Sequence, residues 1–130
     1  MNDFRQVTES FAVSRQIAPA DVARAVAQGF TLIINNRPDG EAPGQPTGDQ
    51  IADVARAAGL AYVHIPVVGR PTPAQIDAMR AAVGGSGGKV LAFCRSGTRS
   101  INTWALGAPV DRDEILRLGA TAGYDLSGVV

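Results

Sequence analysis

The sequence predicts one α/β domain spanning residues 1–130, a central, mostly parallel sheet flanked by helices, with a loop that matters for chemistry between a buried strand and a helix N-terminus. Three observations carry that expectation. TLIIN (Thr31–Asn35) and KVLAF (Lys89–Phe93) are continuous apolar runs, the pattern of strands buried on both faces. Segments of helical periodicity separate the strand-like runs, so strand and helix alternate every roughly 25 to 30 residues. At 130 residues the chain can bury one core but not two.

The elements follow in order. FRQVTESFAV (Phe4–Val13) reads as one or two short strands. PADVARAVAQ (Pro19–Gln28) has a proline near its start and apolar Val22, Ala25 and Val26 at helical spacing, with Gly29 as its stop. After the Thr31–Asn35 strand, NRPDGEAPGQP is turn-rich. TGDQIADVARAAGL then resumes helical periodicity with Thr47 or Asp49 as its cap. AYVHIPV (Ala61–Val67) reads as a strand, and Thr72–Val83 as a helix with Thr72 as N-cap and Pro73 at its first position. GGSGG is a connector into the Lys89–Phe93 strand, and a helix starts over Thr98–Leu106. A last helix covers Asp111–Leu118, and TAGYDLSGVV reads as a loose tail. Trp104, at helical spacing from Ile101, is expected in the core.

Composition narrows the function. Twelve basic residues balance twelve acidic ones, so no global field recruits nucleic acid or an anionic membrane. MNDFRQVTES lacks the apolar segment of a signal peptide, and no apolar run reaches membrane-spanning length. One cysteine rules out an internal disulfide, which makes a reducing cytoplasmic setting the expectation. With a single histidine beside that cysteine, no metal cluster and no cofactor are expected. GGSGGK fails as a phosphate loop, because Val83 and Val90 stand where that motif needs glycine and a hydroxyl residue.

In a parallel sheet, ligands gather outside the carboxyl ends of the strands. Three loops leave those ends: NNRPDGE, HIPVVGRP and CRSGTRS. The last holds Cys94 between a strand and a helix N-terminus, where unpaired N–H groups and the helix dipole favour negative charge. Such a position supplies thiolate near neutral pH. Ser96, Gly97 and Thr98 are small enough for the backbone to curl into an anion nest, and Arg95 and Arg99 add fixed positive charge. Cys94 and Arg99 are therefore the expected catalytic pair, with Arg95, Ser96, Gly97, Thr98 and Ser100 around the substrate. Arg37, Asp39 and His64 are further candidates for that role. Each also has a bland alternative: NRPDG suits an exposed tight turn, and His64 a structural hydrogen bond. Arg70 could face the site or lie in a solvated loop.

CRSGTRS resembles the active-site loop of rhodanese-type sulfurtransferases, a cysteine followed by four residues and an arginine. Cysteine-dependent phosphatases carry five residues in that interval, and the position their arginine would need is occupied by Ser100. Together with INNRPDGE and AYVHIPV, the loop resembles the phosphatase-like domain family of beta-lactamase hydrolase-like proteins, over roughly Phe4 to Leu106. That resemblance implies a phosphatase-like fold with sulfurtransferase activity. It also implies small sulfur-containing anions and thiols as partners, and a metallo-β-lactamase-fold enzyme of the persulfide dioxygenase type as a further one. Two departures from phosphatases fit the implication: Phe93 replaces their usual histidine before the cysteine, and VVGRPTPAQ lacks a carboxylate where they carry a general acid. A phosphatase using Asp39 as a displaced acid, and a non-catalytic anion-binding or redox-sensing module, are the alternatives.

Overall fold

A computed structural model describes residues 4–130. Its five-stranded sheet has the order β1-β2-β5-β3-β4, formed by β1 (Arg5–Thr8), β2 (Phe11–Ser14), β3 (Phe30–Asn35), β4 (Ala61–His64) and β5 (Lys89–Phe93). Only β1 runs antiparallel, as the hairpin partner of β2; the pairs β2–β5, β5–β3 and β3–β4 are parallel. Parallel neighbours need crossovers, supplied by α1 (Asp21–Ala27), α2 (Gly48–Ala57) and α3 (Pro73–Gly85). Two helices follow β5: α4 (Thr98–Gly107) and α5 (Arg112–Ala122).

The sheet separates two cores. Val90 and Ala92 of β5 join Met79, Ile101, Trp104 and Ile115 on the α3–α4–α5 side. Leu91 and Phe93 join Val22, Ala25, Ile51 and Ala55 on the α1–α2 side. This alternation follows from the two-residue period of a strand. In β3 it breaks once: Phe30 and Leu32 pack on opposite faces, where the register against β5 shifts between them. Trp104 lies in the core as predicted, stacked on Phe11 with ring centroids 5.5 Å apart.

Helix starts follow the local chemistry. Thr47 and Thr72 each accept from the third helical residue, Gln50 and Gln75, whose side chains bond back to the cap nitrogens. Thr47 is thus the cap of α2, not Asp49.

The structure corrects several sequence-based boundaries. Phe4–Val13 forms two strands, and β4 ends at His64 because the next backbone N–H groups, from Ile65 and Val67, bond to Asn35 and Asn36 carbonyls in the β3 exit. Helix α3 runs on into the glycine connector as far as Gly85. The tail is not loose: α5 continues to Ala122, Gly123 closes it at φ 95°, and Leu126 is 1% exposed. These residues lack helical or strand periodicity, and what orders them is burial against the rest of the fold.

Candidate active site

Strand β5 is central, and its exit lies where the crossovers change face: α1 and α2 cover one side of the sheet, α3 and α4 the other. Such a switch point opens a crevice at the carboxyl end of a parallel sheet. Cys94, the residue after β5, stands in it as a free thiol, 1% exposed. Its N–H bonds the Ser14 carbonyl at 3.4 Å, tying the start of the loop to the neighbouring strand.

The backbone then turns toward the sulfur. Gly97 adopts φ 91° as the N-cap of α4, and its N–H donates to Cys94 Sγ at 3.1 Å. A positive φ there favours glycine over any L side chain. Two features that stabilise thiolate, a direct N–H and a helix N-terminus, therefore meet at one atom. Arg95, Ser96 and Thr98 are exposed around the rim, with Ser96 Oγ donating to Thr98 Oγ1 at 3.1 Å. Ser100 is wholly buried, and its Oγ has no hydrogen-bond partner.

Arg99, in the first turn of α4, is held on two sides. Its Nη1 and Nη2 each donate at 2.8 Å to the two oxygens of Glu41, and Nη1 also donates to the Val67 carbonyl at 2.9 Å. Of its five N–H groups, that leaves Nε–H and one Nη2–H on a shared edge, the fork that suits an anion. Glu41 raises the Arg99 pKa, opposed by burial and helped by the Cys94 charge close by.

Glu41 comes from the loop after β3. Arg37 also donates to it, Nε to Oε1 at 3.0 Å, and donates from Nη1 to Gln16 at 3.1 Å. Arg99 first, then Arg37, hold the Glu41 carboxyl at about 2 against the desolvation that opposes them. It is a carboxylate at neutral pH. Arg37 is 5% exposed, so the bland picture of an exposed turn charge fails for it. Asn35 shapes this exit: its side-chain oxygen accepts from Arg37 N–H at 2.9 Å, while its amide donates to Tyr62 at 3.0 Å.

Other predicted residues lie differently. His64 is exposed, and its Nε2 pairs with the Arg37 carbonyl at 2.8 Å, a bond that fixes the loop carrying Arg37. Asp39 accepts from the Gly48 N–H at 2.7 Å, at the first residue of α2. Arg70 is exposed.

Three contributors escaped sequence reasoning: Glu41, Gln16 and Tyr124. Glu41 lay inside a quoted motif, four residues after Arg37, and a carboxylate placed among arginines was its available signal. Gln16 follows β2, whose parallel pairing with β5 makes its exit a fourth loop at the site; its N–H also bonds the Arg95 carbonyl at 3.3 Å. Tyr124 donates to the Ser96 carbonyl at 3.0 Å from the supposed tail. Among the described residues, no cluster of three or more His, Cys, Asp or Glu could hold a metal ion. Nor is any helix there long and apolar enough to cross a membrane.

A buried thiol that accepts from the Gly97 N–H of its own loop, on a five-stranded α/β sheet, defines the class of cysteine-loop domains with the protein-tyrosine-phosphatase-like fold. Within that class, the chain belongs to the phosphatase-like domain family of beta-lactamase hydrolase-like proteins, whose model matches residues 3–110. It is 40% identical over 129 residues to the beta-lactamase hydrolase-like protein of Xylella fastidiosa Temecula1, covering 95% of this chain but 30% of that protein. The chain thus spans under a third of the curated relatives' length. Among solved structures, a candidate phosphatase from Neisseria meningitidis Z2491 superposes with TM-score 0.87 at 30% identity, over 98% of this chain and 94% of that one. Pseudomonas aeruginosa TpbA, solved with phosphotyrosine, has the same fold: TM-score 0.66, 13% identity, covering 94% and 75%. The names these relatives carry favour the phosphatase alternative over sulfur transfer.

Proposed function

We propose that the domain is a cysteine-dependent sulfurtransferase acting on thiosulfate or a low-molecular-weight persulfide. The observation that carries this reading is that, among the described residues, the carboxylate meeting Arg99 beside Cys94 is not a proton donor. Glu41, the carboxylate that meets Arg99, has its pKa held at about 2 and cannot give up a proton at neutral pH. Asp39 is engaged at the start of α2. A phosphate monoester releases an alkoxide, which needs a proton from a positioned acid. Thiosulfate releases sulfite, which does not. The loop count, four residues between Cys94 and Arg99, supports the same reading.

The Cys94 thiolate attacks the sulfane sulfur of thiosulfate. A sulfur–sulfur bond forms at Cys94 as the one to the sulfonate sulfur breaks, and its electron pair leaves with sulfite. The remaining edge of the Arg99 guanidinium, on the Cys94 side, and the Gly97 N–H hold the departing charge. A thiolate acceptor then takes the terminal sulfur and regenerates Cys94, the two-step logic of covalent catalysis. A metallo-β-lactamase-fold enzyme as the source or destination of that sulfur is part of the proposal, supported by the greater length of the curated relatives and their name. A cytoplasmic setting belongs to it as well.

A phosphatase is the second reading, favoured by the relatives' names and fold. The two separate in one comparison, sulfite release from thiosulfate with a thiol acceptor against hydrolysis of p-nitrophenyl phosphate by the same preparation and by Cys94→Ser. Sulfite release that needs Cys94, with phosphate-ester hydrolysis at background, supports sulfur transfer. The opposite pattern refutes it.

A further inference from the structure

We infer that Tyr124 is a positioning residue for the Cys94 nucleophile, acting through the peptide that joins Ser96 to Gly97. That single planar unit is bonded at both ends. Its N–H, on Gly97, donates to Cys94 Sγ at 3.1 Å, and its carbonyl, on Ser96, accepts from Tyr124 Oη at 3.0 Å. In a trans peptide the N–H and C=O point in opposite directions, and no peptide among the described residues is cis. Fixing the carbonyl outward therefore fixes the N–H on the sulfur. A hydrogen bond accepted by a carbonyl also polarises the N–H across the same amide, so the two bonds strengthen each other.

Ser96 is exposed, and water could satisfy its carbonyl. Tyr124 adds direction and permanence. A side chain at Gly97 would displace it, since a β-carbon there would lie 2.2 Å from Tyr124 Oη. The glycine is thus required twice, by its φ of 91° and by the phenol behind it.

Tyr124 is itself held in place. Its N–H bonds the Gly119 carbonyl at 2.8 Å as α5 ends. Arg5 of β1 donates to the Ala122 carbonyl at 3.2 Å and lies over the phenol ring, 6.0 Å from its centroid. Burial raises the phenol pKa, Arg5 opposes this, and negative charge on Cys94 adds to it, so the hydroxyl stays a donor. Arg99 of α4 also lies close to that sulfur. Tyr124 lies beyond the 3–110 span that defines the family match.

The inference rests on Cys94 acting as a thiolate, and its test reads that property without any sulfur donor. Iodoacetamide alkylates cysteine as the thiolate, the sulfur displacing iodide, so the rate of Cys94 alkylation against pH reports the loop directly. Tyr124→Phe keeps the ring and loses the hydroxyl. Its alkylation profile should move to higher pH by about half a unit, roughly threefold slower on the rising limb, with the far-ultraviolet spectrum unchanged. A profile superimposable on that of the parent overturns the inference. A second measurement does not depend on Tyr124→Phe: with Tyr62→Phe in place, Tyr124 is the sole tyrosine. Its ultraviolet titration midpoint should fall when Cys94→Ser is added, and an unmoved midpoint counts against the coupling. Absence of sulfur transfer would leave both readouts intact, so failure of the proposed function and failure of this inference are distinguishable.

Discussion

Glu41 and Arg99 meet end-on, 58 residues apart in sequence, with two N–H···O bonds of 2.8 Å between them. The pairing leaves the other edge of the guanidinium for a substrate anion. It also keeps Glu41 a carboxylate, its pKa held at about 2, so that it is no proton donor at neutral pH. In the proposed reaction, this one contact sets both how the anion is held and which leaving groups can depart.

Glu41→Gln should lower turnover of anionic sulfur donors by about tenfold, since one amide oxygen cannot hold both guanidinium nitrogens and the fork loses its orientation. Steady-state rates with thiosulfate measure this. Equal or faster turnover would mean that Glu41 competes with substrate for Arg99.

Acid should weaken the same contact. The Glu41 pKa is depressed from 4.5 to about 2 in the folded protein, so its contribution to stability is complete above the ordinary value and lost as pH falls through about 2. The pair faces solvent, which limits the effect to ~0.5 kcal/mol. Thermal melts of parent and Glu41→Gln should differ near neutrality and converge in strong acid. A difference that widens in acid would reverse the assigned sign.

Asp39→Asn separates the two enzymatic readings. Sulfur transfer needs no proton from Asp39, so thiosulfate turnover should stay within about twofold, with a loss of ~0.5 kcal/mol from weaker charge at the start of α2. A phosphatase using Asp39 as its acid would instead lose p-nitrophenyl phosphate hydrolysis in this variant.

Gly97→Ala should destabilise the protein by about 2 kcal/mol and slow Cys94 alkylation, because the new methyl meets both the strained φ and the Tyr124 hydroxyl. Denaturant unfolding and alkylation rates check the two effects separately. A variant as stable as the parent would show that the loop relaxes around the methyl at no cost.

Much of this architecture is legible in the sequence because it is local. The β-branched runs of β3 and β5, the Thr72–Pro73 helix start and the Cys94 loop each carry their signal within a few residues. What escapes is non-local. Gln16 reaches the site because β2 pairs with β5, joining Ser14 to Phe93. Glu41 matters through a partner on another element, and Tyr124 through a bond to Ser96, 28 residues back. The segment after α5 lacks periodicity because burial of Leu126 and the ring contact with Arg5 order it. For His64 the structural alternative read from the sequence, a hydrogen bond at a strand end, is the contact found, to the Arg37 carbonyl.

The most direct test of sulfur transfer is the intact mass of the reduced protein after brief exposure to thiosulfate, before and after a thiol is added. Gain of one sulfur atom, discharged by the thiol and absent in Cys94→Ser, is the predicted result. No adduct with thiosulfate or with glutathione persulfide would contradict it and move the phosphatase reading ahead.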